Sequence, residues 1–265
     1  MPIMQTLVFN KNKINQNKQI KMKNAILLFS ILLFSANTAN AQWWSNSKKV
    51  EGNKEVTNKT RSLGNYDQIS VTGMMEVQLI SGSEGKVEIE AESNLMEFIE
   101  TEVSNGHLRI SIQKGVNIAP SKNYPIRIVV PFETLGALTL TGSGHIRNSD
   151  VIKAREFKIN VTGSGNMNLN LITENLESTI TGSGDLKLKG TSGEFKCKVT
   201  GSGDVFAYDL KAFKVDASVT GSGDVEVSVE NELNAKVSGS GDIKYRGNPD
   251  KQNFKTSGSG SVSKN

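Results

Sequence analysis

The sequence predicts an all-β chain: a parallel β-helix, or solenoid, with about 18–21 residues per repeat and an irregular N-terminal β cap. Three observations carry this reading. A glycine-rich corner recurs in seven copies, opening at Thr141, Thr162, Thr181, Thr200, Thr220, Ser238 and Ser257, with spacings of 21, 19, 19, 20, 18 and 19 residues. Apolar residues stand at the same offsets from each corner with polar residues between them, the period-two pattern of strands with one buried face. Aromatic residues make up 6% of the chain and glycine contributes 25 residues, which argues against a large helical core.

Taken in chain order, residues 1–41 read as a secretory signal peptide. Lys21 and Lys23 precede the apolar run Ala25 to Phe34, and Ala39-Asn40-Ala41 supplies an A-x-A cleavage site. Met22 to Ala41 is already a complete signal, so translation from Met22 is a second option. The apolar run is short for a bilayer, and no later segment is more apolar, so the mature chain is expected to carry no transmembrane segment. Residues 42–61 are polar and aperiodic and read as a flexible lead-in. Trp43 and Trp44 within it would lie over an apolar surface or act as a contact point.

Residues 62–264 read as one domain, with an irregular part at 62–135 and regular repeats at 136–264. In the irregular part, Ile69 to Ile80, Lys86 to Ala91, His107 to Gln113 and Ile126 to Val130 read as strands, and Asn94 to Ile99 as a short helical turn. Val71-Thr72-Gly73 resembles a decayed corner, so this part is expected to begin the same β structure and cap its first open edge; solenoids need such a device.

In the regular part, Leu140, Val161, Ile180, Val199, Val219 and Val237 each precede a corner, and Ile146, Met167, Leu186, Val205, Val225, Ile243 and Val262 follow one. The corners are built on Gly142 and Gly144, Gly163 and Gly165, Gly182 and Gly184, Gly201 and Gly203, Gly221 and Gly223, Gly239 and Gly241, and Gly258 and Gly260. Glycine permits the positive φ that a sharp corner needs. A hairpin array would also fit, but residue types copied from repeat to repeat favour side chains stacked in columns.

The formal charge of +4 comes from the leader. Without its five lysines, 26 basic side chains remain of 31, against 27 acids, a net charge of −1. A near-neutral chain has no electrostatic case for nucleic acid. The single cysteine, Cys197, excludes an intramolecular disulfide framework and a Cys-rich zinc site. It falls in an inward column, as a small buried apolar group or, alternatively, a reactive thiol. His107 and His145 are the only histidines and have no distinctive partners in the sequence.

Two columns could carry function. Asp185, Asp204, Asp224 and Asp242 follow the corner in four consecutive repeats. Stacked carboxylates would bind cations, Ca²⁺ first among them, or would accept backbone N–H groups and face solvent; the second reading is preferred. The hydroxyls of Thr141, Thr162, Thr181, Thr200, Thr220, Ser238 and Ser257 would point inward as a self-satisfying ladder or outward as a polar strip; the inward reading is preferred. No catalytic residues are expected. The recurring acids follow the repeat, and Gly-Ser-Gly lacks the lysine and helix of a phosphate-binding loop.

The stacked T-G-S-G-D units, the entry segment YDQISVTGMMEVQLISG, the stretch GHLRISIQ and the closing YRGNP and SGSGSV resemble the putative auto-transporter adhesin, head-GIN domain family over about residues 62–264. The resemblance implies a secreted or envelope-located β-solenoid of Gram-negative bacteria, with adhesion in its name and no catalytic residues. The expected function is an exported, non-enzymatic cell-envelope module that binds a glycan, envelope or protein ligand through exposed strand faces. The rival readings are a structural component of the envelope or a surface complex, and a polysaccharide-active enzyme. The expected location is periplasm, outer-membrane surface or medium.

Overall fold

The computed structural model describes residues 48–265; the expected leader and Trp43 and Trp44 lie outside them. The chain opens with β1 (Lys48–Glu51), β2 (Val56–Ser62), β3 (Gln68–Gly73), β4 (Glu76–Ser81) and β5 (Lys86–Glu92). A 3-10 turn at Met96–Phe98 leads to β6 (Ile99–Ser104), β7 (His107–Ile112), β8 (Val116–Ala119) and β9 (Arg127–Phe132). The regular part follows as β10 (Ala137–Gly142), β11 (His145–Asn148), β12 (Ile152–Gly163), β13 (Asn166–Gly182), β14 (Leu186–Gly201), β15 (Val205–Gly221) and β16 (Val225–Gly239). It ends with β17 (Ile243–Arg246), β18 (Lys251–Gly258) and β19 (Val262–Lys264).

The fold is a parallel β-solenoid of about 7 turns. Each coil pairs in parallel with the next, and the corners lie in register: Gly142 opposite Gly163, Gly163 opposite Gly182, Gly182 opposite Gly201, and Gly201 opposite Gly221. The columns inferred from the sequence are the core. Leu140, Val161, Ile180, Val199, Val219 and Val237 are buried, as are Ile146, Met167, Leu186, Val205, Val225 and Ile243. Each contributes roughly 1.5–3 kcal/mol on burial. Along β13 the inward residues are Met167, Leu169, Leu171 and Thr173; Glu174 and Asn175 both face out, and the alternation resumes at Leu176. That double outward step turns the coil. Departures from the 19-residue repeat are absorbed locally: the extra residue of the coil holding β15 produces register shifts beside Tyr208, whose ring stacks under the Arg246 guanidinium at 3.9 Å.

Two glycine positions explain the corner. Gly182 has φ of 121°, where side chains are strained. Gly203 is buried, and a Cβ placed there would overlap the Gly184 carbonyl oxygen of the coil below. Only a residue without a Cβ lets the coils approach that closely.

Val71-Thr72-Gly73 is a true corner: β3 pairs with β10 so that Gly73 lies opposite Gly142, and β4 pairs with β11. The expected single strand from Ile69 to Ile80 is therefore two, broken at this corner. On their other side, β3 and β4 pair in parallel with β7 and β9. The coil Gln68–Ser81 thus lies inside the stack, and the segment between it and β10 folds back as the outer layers. The end is closed by antiparallel strands, β6 on β7, β5 on β9 and β2 on β5.

Residues 48–61, expected as part of a flexible lead-in, are instead ordered as β1 and most of β2, with β1 parallel to β8. Their alternation is hidden because both strands are largely exposed. A fully buried carboxylate holds this strap. Glu92 accepts the Lys54 N–H at 2.6 Å, the Ser121 N–H at 2.8 Å and the Ser121 hydroxyl at 2.7 Å. Burial alone would raise its pKa; the hydrogen bonds from Ser121 and Lys54 outweigh that and hold it below the usual carboxylate range.

Two outcomes are expected. Gly203→Ala lowers stability by more than about 3 kcal/mol or prevents folding, whereas Ser202→Ala, exposed at the same corner, stays within about 0.5 kcal/mol; urea unfolding compares them. Because the folded pKa of Glu92 is depressed, its contribution is present above the unfolded pKa and is lost as pH falls through the folded value. Amide-exchange protection of β1 and β8 should therefore hold at neutral pH and decline as pH falls below the ordinary carboxyl range. In Glu92→Gln it should be lower at neutral pH and flat across that acid window.

Candidate functional site

The acidic column begins as a backbone problem. Regular pairing stops at Gly182 opposite Gly201 and resumes at Leu186 opposite Val205, so the residues between need other partners. The Ser202 and Gly203 N–H groups both donate to the Gly182 carbonyl, at 2.8 and 3.0 Å. The next N–H, on Asp204, donates to Asp185 Oδ1 at 3.2 Å. Asp224 N–H donates to Asp204 Oδ1 at 2.7 Å, and Asp242 N–H to Asp224 Oδ1 at 2.8 Å. Asn166 does the same job with its amide oxygen for the Asp185 N–H, at 2.8 Å. At the top of the row, the hydroxyl and N–H of Ser261 both donate to Asp242 Oδ1, and these bonds hold the Asp242 carboxyl below its ordinary pKa.

Each side chain thus replaces a carbonyl that the corner removes from the ladder. A charge-assisted bond is worth about 1.5–3 kcal/mol. Repulsion between carboxylates one strand spacing apart is about 1 kcal/mol in a water-like medium. The hydrogen bond is the larger of the two terms and offsets the repulsion. Among the described residues no group of three or more His, Cys, Asp or Glu side chains is arranged to hold a metal ion.

The hydroxyl column points the other way from the preferred expectation. Thr141, Thr162, Thr181, Thr220 and Ser257 are exposed, and Thr200 and Ser238 half-buried. The reason is parity: the residue before each hydroxyl is a core aliphatic, and the inward place at the corner belongs to the second glycine, such as Gly165 or Gly184, which is buried. The hydroxyls therefore form an outward strip beside the equally exposed Ser143, Ser164, Ser183, Ser202 and Ser222.

Beyond the corner, outward side chains form two parallel columns. Glu76, His145, Asn166 and Asp185 occupy one across four stacked coils; Gln78, Arg147, Asn168 and Lys187 occupy the other. Between them lies a shallow concavity of about 380 Å³ with Val77, Ile146 and Met167 behind it. It offers two carboxylates, two cations, amides and an imidazole on an open, rigid sheet. Glu76, Arg147 and Asn168 were not singled out in the sequence. The signal available was the phase of Val71-Thr72-Gly73, which places Glu76 at the position of His145.

The face before the corner is different. Its outward columns are laced by exposed ion pairs, Lys158 with Glu177 at 3.8 Å and Lys214 with Glu232 at 3.7 Å, each worth little in solvent. His107 does have a partner there: its Nε2 lies 2.6 Å from Ser70 Oγ. Both residues sit in paired strands β3 and β7, whose N–H groups are committed to the ladder. Cys197 is buried, and burial pushes its thiol up to about 12, with Ser178 exerting a lesser opposite pull. It packs in the core as a small apolar group.

If the acid row is a hydrogen-bond ladder, Asp204→Ala strands the Asp224 N–H and costs about 1–3 kcal/mol. Asp204→Asn keeps the acceptor, as Asn166 does, and stays within about 1 kcal/mol of the parent. Melting curves with and without calcium check this: equal calcium responses in the Asn variant and the parent are expected, and a calcium-dependent gain lost in the variant would mean that cations bridge the row.

Known structures share this architecture. An adhesin described as putative from Bacteroides fragilis is 23% identical, covering 82% of this chain and 100% of that one, with a TM-score of 0.76. A protein described as a putative lipid binding protein from Parabacteroides distasonis is 25% identical over 82% of this chain and 100% of its own, with a TM-score of 0.70. A second putative adhesin, from Parabacteroides merdae, is 22% identical over 82% and 99%, with a TM-score of 0.67. No curated protein matches the sequence. The family profile described as putative auto-transporter adhesin, head GIN domain, matches residues 65–249. With its corners, columns and cap in place, the chain belongs to that family.

Proposed function

We propose that the protein is an exported, non-enzymatic module of the cell envelope that binds an extended polar ligand, a glycan, along its outer strand faces. The observation that carries this is the pair of columns from Glu76 to Asp185 and from Gln78 to Lys187. They repeat hydrogen-bonding groups at the strand spacing of roughly 4.8 Å, which suits a polymer with a repeat of similar length. Arg147 and Lys187 would take acidic groups on the polymer, while Glu76, Asp185 and the amides of Asn166 and Asn168 would take hydroxyls.

Binding is what the descriptions of the relatives have in common, adhesion in two and lipid in one. Export rests on the leader at residues 1–41, and the periplasm, the outer-membrane surface and the medium all accord with it. No helix among the described residues is long and apolar enough to cross a membrane. A structural role in the envelope is the second reading, favoured by the regular parallel stacking of β12 to β16.

The test incubates the protein with a panel of polysaccharides and envelope fractions, following retention and new reducing ends together. Retention without new ends is expected, with Arg147→Glu/Lys187→Glu weakening it by about tenfold or more. New reducing ends would replace this reading with a polysaccharide-active enzyme. Neither retention nor cleavage would favour the structural role.

A further inference from the structure

We propose, building on the glycan reading above, that the bound polymer alternates acidic and uncharged sugars, one sugar per coil, along the column from Arg147 to Phe206. The face of an uncharged ring lies against Phe206. Parallel register sets Arg147, Asn168, Lys187 and Phe206 side by side in four successive coils, and all four are exposed. Neighbouring positions are roughly 4.8 Å apart. The column therefore reads cation, amide, cation, aromatic ring. Its cations recur every second coil, which matches every second sugar of an extended chain.

The residues beside the column agree with this alternation. Asn166 precedes Asn168 by two on the same strand, so that coil presents amides and no charge. Asp185 stands beside Lys187 but is turned to the ladder, its Oδ1 accepting the Asp204 N–H. The Lys187 ammonium is left for an anion. Phe206 has Asp204 two residues before it and Glu226 directly opposite in the next coil. A carboxylate on the ring stacked there would face both acids, whereas hydroxyls of an uncharged ring would donate to them.

Phe206 is set apart from other exposed apolar side chains by its surroundings. It is 40% exposed and belongs to a column that continues with the charged Glu226 and Lys244. Directly beyond Ala207 the strand bulges: Tyr208, Asp209 and Leu210 have no register partner on β16. Bulges re-aim side chains and accompany functional sites. This one is held by the Ser228 hydroxyl, which donates to the Tyr208 carbonyl at 2.7 Å, and by Arg246 across the Tyr208 ring. The face of an aromatic ring is its negative side, which suits the C–H groups on the face of a pyranose. Phe213 is also exposed, but it sits with Lys214 at the turn of the coil, outside the column.

Dissociation constants of the purified protein for size-matched fragments of three polysaccharides test this. In hyaluronan a uronic acid alternates with an uncharged N-acetylated sugar; in polygalacturonate every sugar is acidic; in dextran none is. Hyaluronan is expected to bind most tightly. Phe206→Ala should weaken that binding by about tenfold or more, Phe206→Trp should keep it, and Phe213→Ala should leave it unchanged, all at the parent's melting temperature. Equal binding by Phe206→Ala and the parent would overturn the proposal, as would polygalacturonate or dextran bound as tightly as hyaluronan. Hyaluronan left unbound while another polysaccharide is retained would overturn it too, and each of these results leaves a glycan-binding module in place. Retention of no polysaccharide at all would overturn both readings together.

Discussion

The close approach of one corner to the next is the constraint from which the rest of the molecule follows. A glycine with positive φ turns the chain, and a second, buried glycine lies against the carbonyl beneath it. That contact fixes the register of each coil on its neighbour. Because a strand has a side-chain period of two, a fixed register decides every inward and outward position at once. The aliphatic columns then close over one another, and no coil shields its own apolar face without its neighbours. The same corner interrupts the backbone ladder, and the Asp and Asn side chains at the following position restore the missing acceptor. The recurrence of the acid thus follows the recurrence of the turn.

The repeat was legible because it is local and copied. Period two on either side of Gly-Ser-Gly was enough to assign Val199 or Leu186 to the core and to read Val71-Thr72-Gly73 as a corner. The cap was not legible, for a topological reason. The coil Gln68–Ser81 lies between β10 and β11 on one side and β7 and β9 on the other, so order in the stack departs from order in the chain. Nothing in the pattern of His107 to Gln113 says which neighbour it takes. The lead-in strands escaped because edge strands with little burial lose their alternation. The direction of Thr141 and its equivalents was within reach: one step from the buried Leu140 points outward. It was obscured by treating the corner as a place where polar groups turn in to satisfy backbone, a task that Asp204 and its equivalents perform from the far side of the glycines.

The candidate cleft shows what stacking adds to sequence. Glu76, His145, Asn166 and Asp185 are distant in the chain, belong to four residue types and form no motif. Only the register places them in one column, beside another that holds Arg147 and Lys187. The column is acidic where the repeats are most regular and mixed where they decay toward the cap. The acids of the regular part are tied into the ladder. Variety enters at the end where the irregular coil begins, and there the outer face of the sheet offers both signs of charge.

This division separates stability from recognition. Inward positions and corner glycines have no freedom: each is set by packing or by the carbonyl below it. Outward positions away from the ladder are open to change at little cost, since exposed pairs such as Lys158 and Glu177 contribute little to the fold. A solenoid of this kind can therefore alter its surface column by column while keeping its register. The ends are the exception. A terminal coil has a neighbour on one side only, so its inward residues are also surface residues. The N-terminal end resolves this with antiparallel strands and the Glu92 clamp. The C-terminal end leaves Phe254 exposed on β18. At that end Phe254 continues a core column and is a surface residue at once.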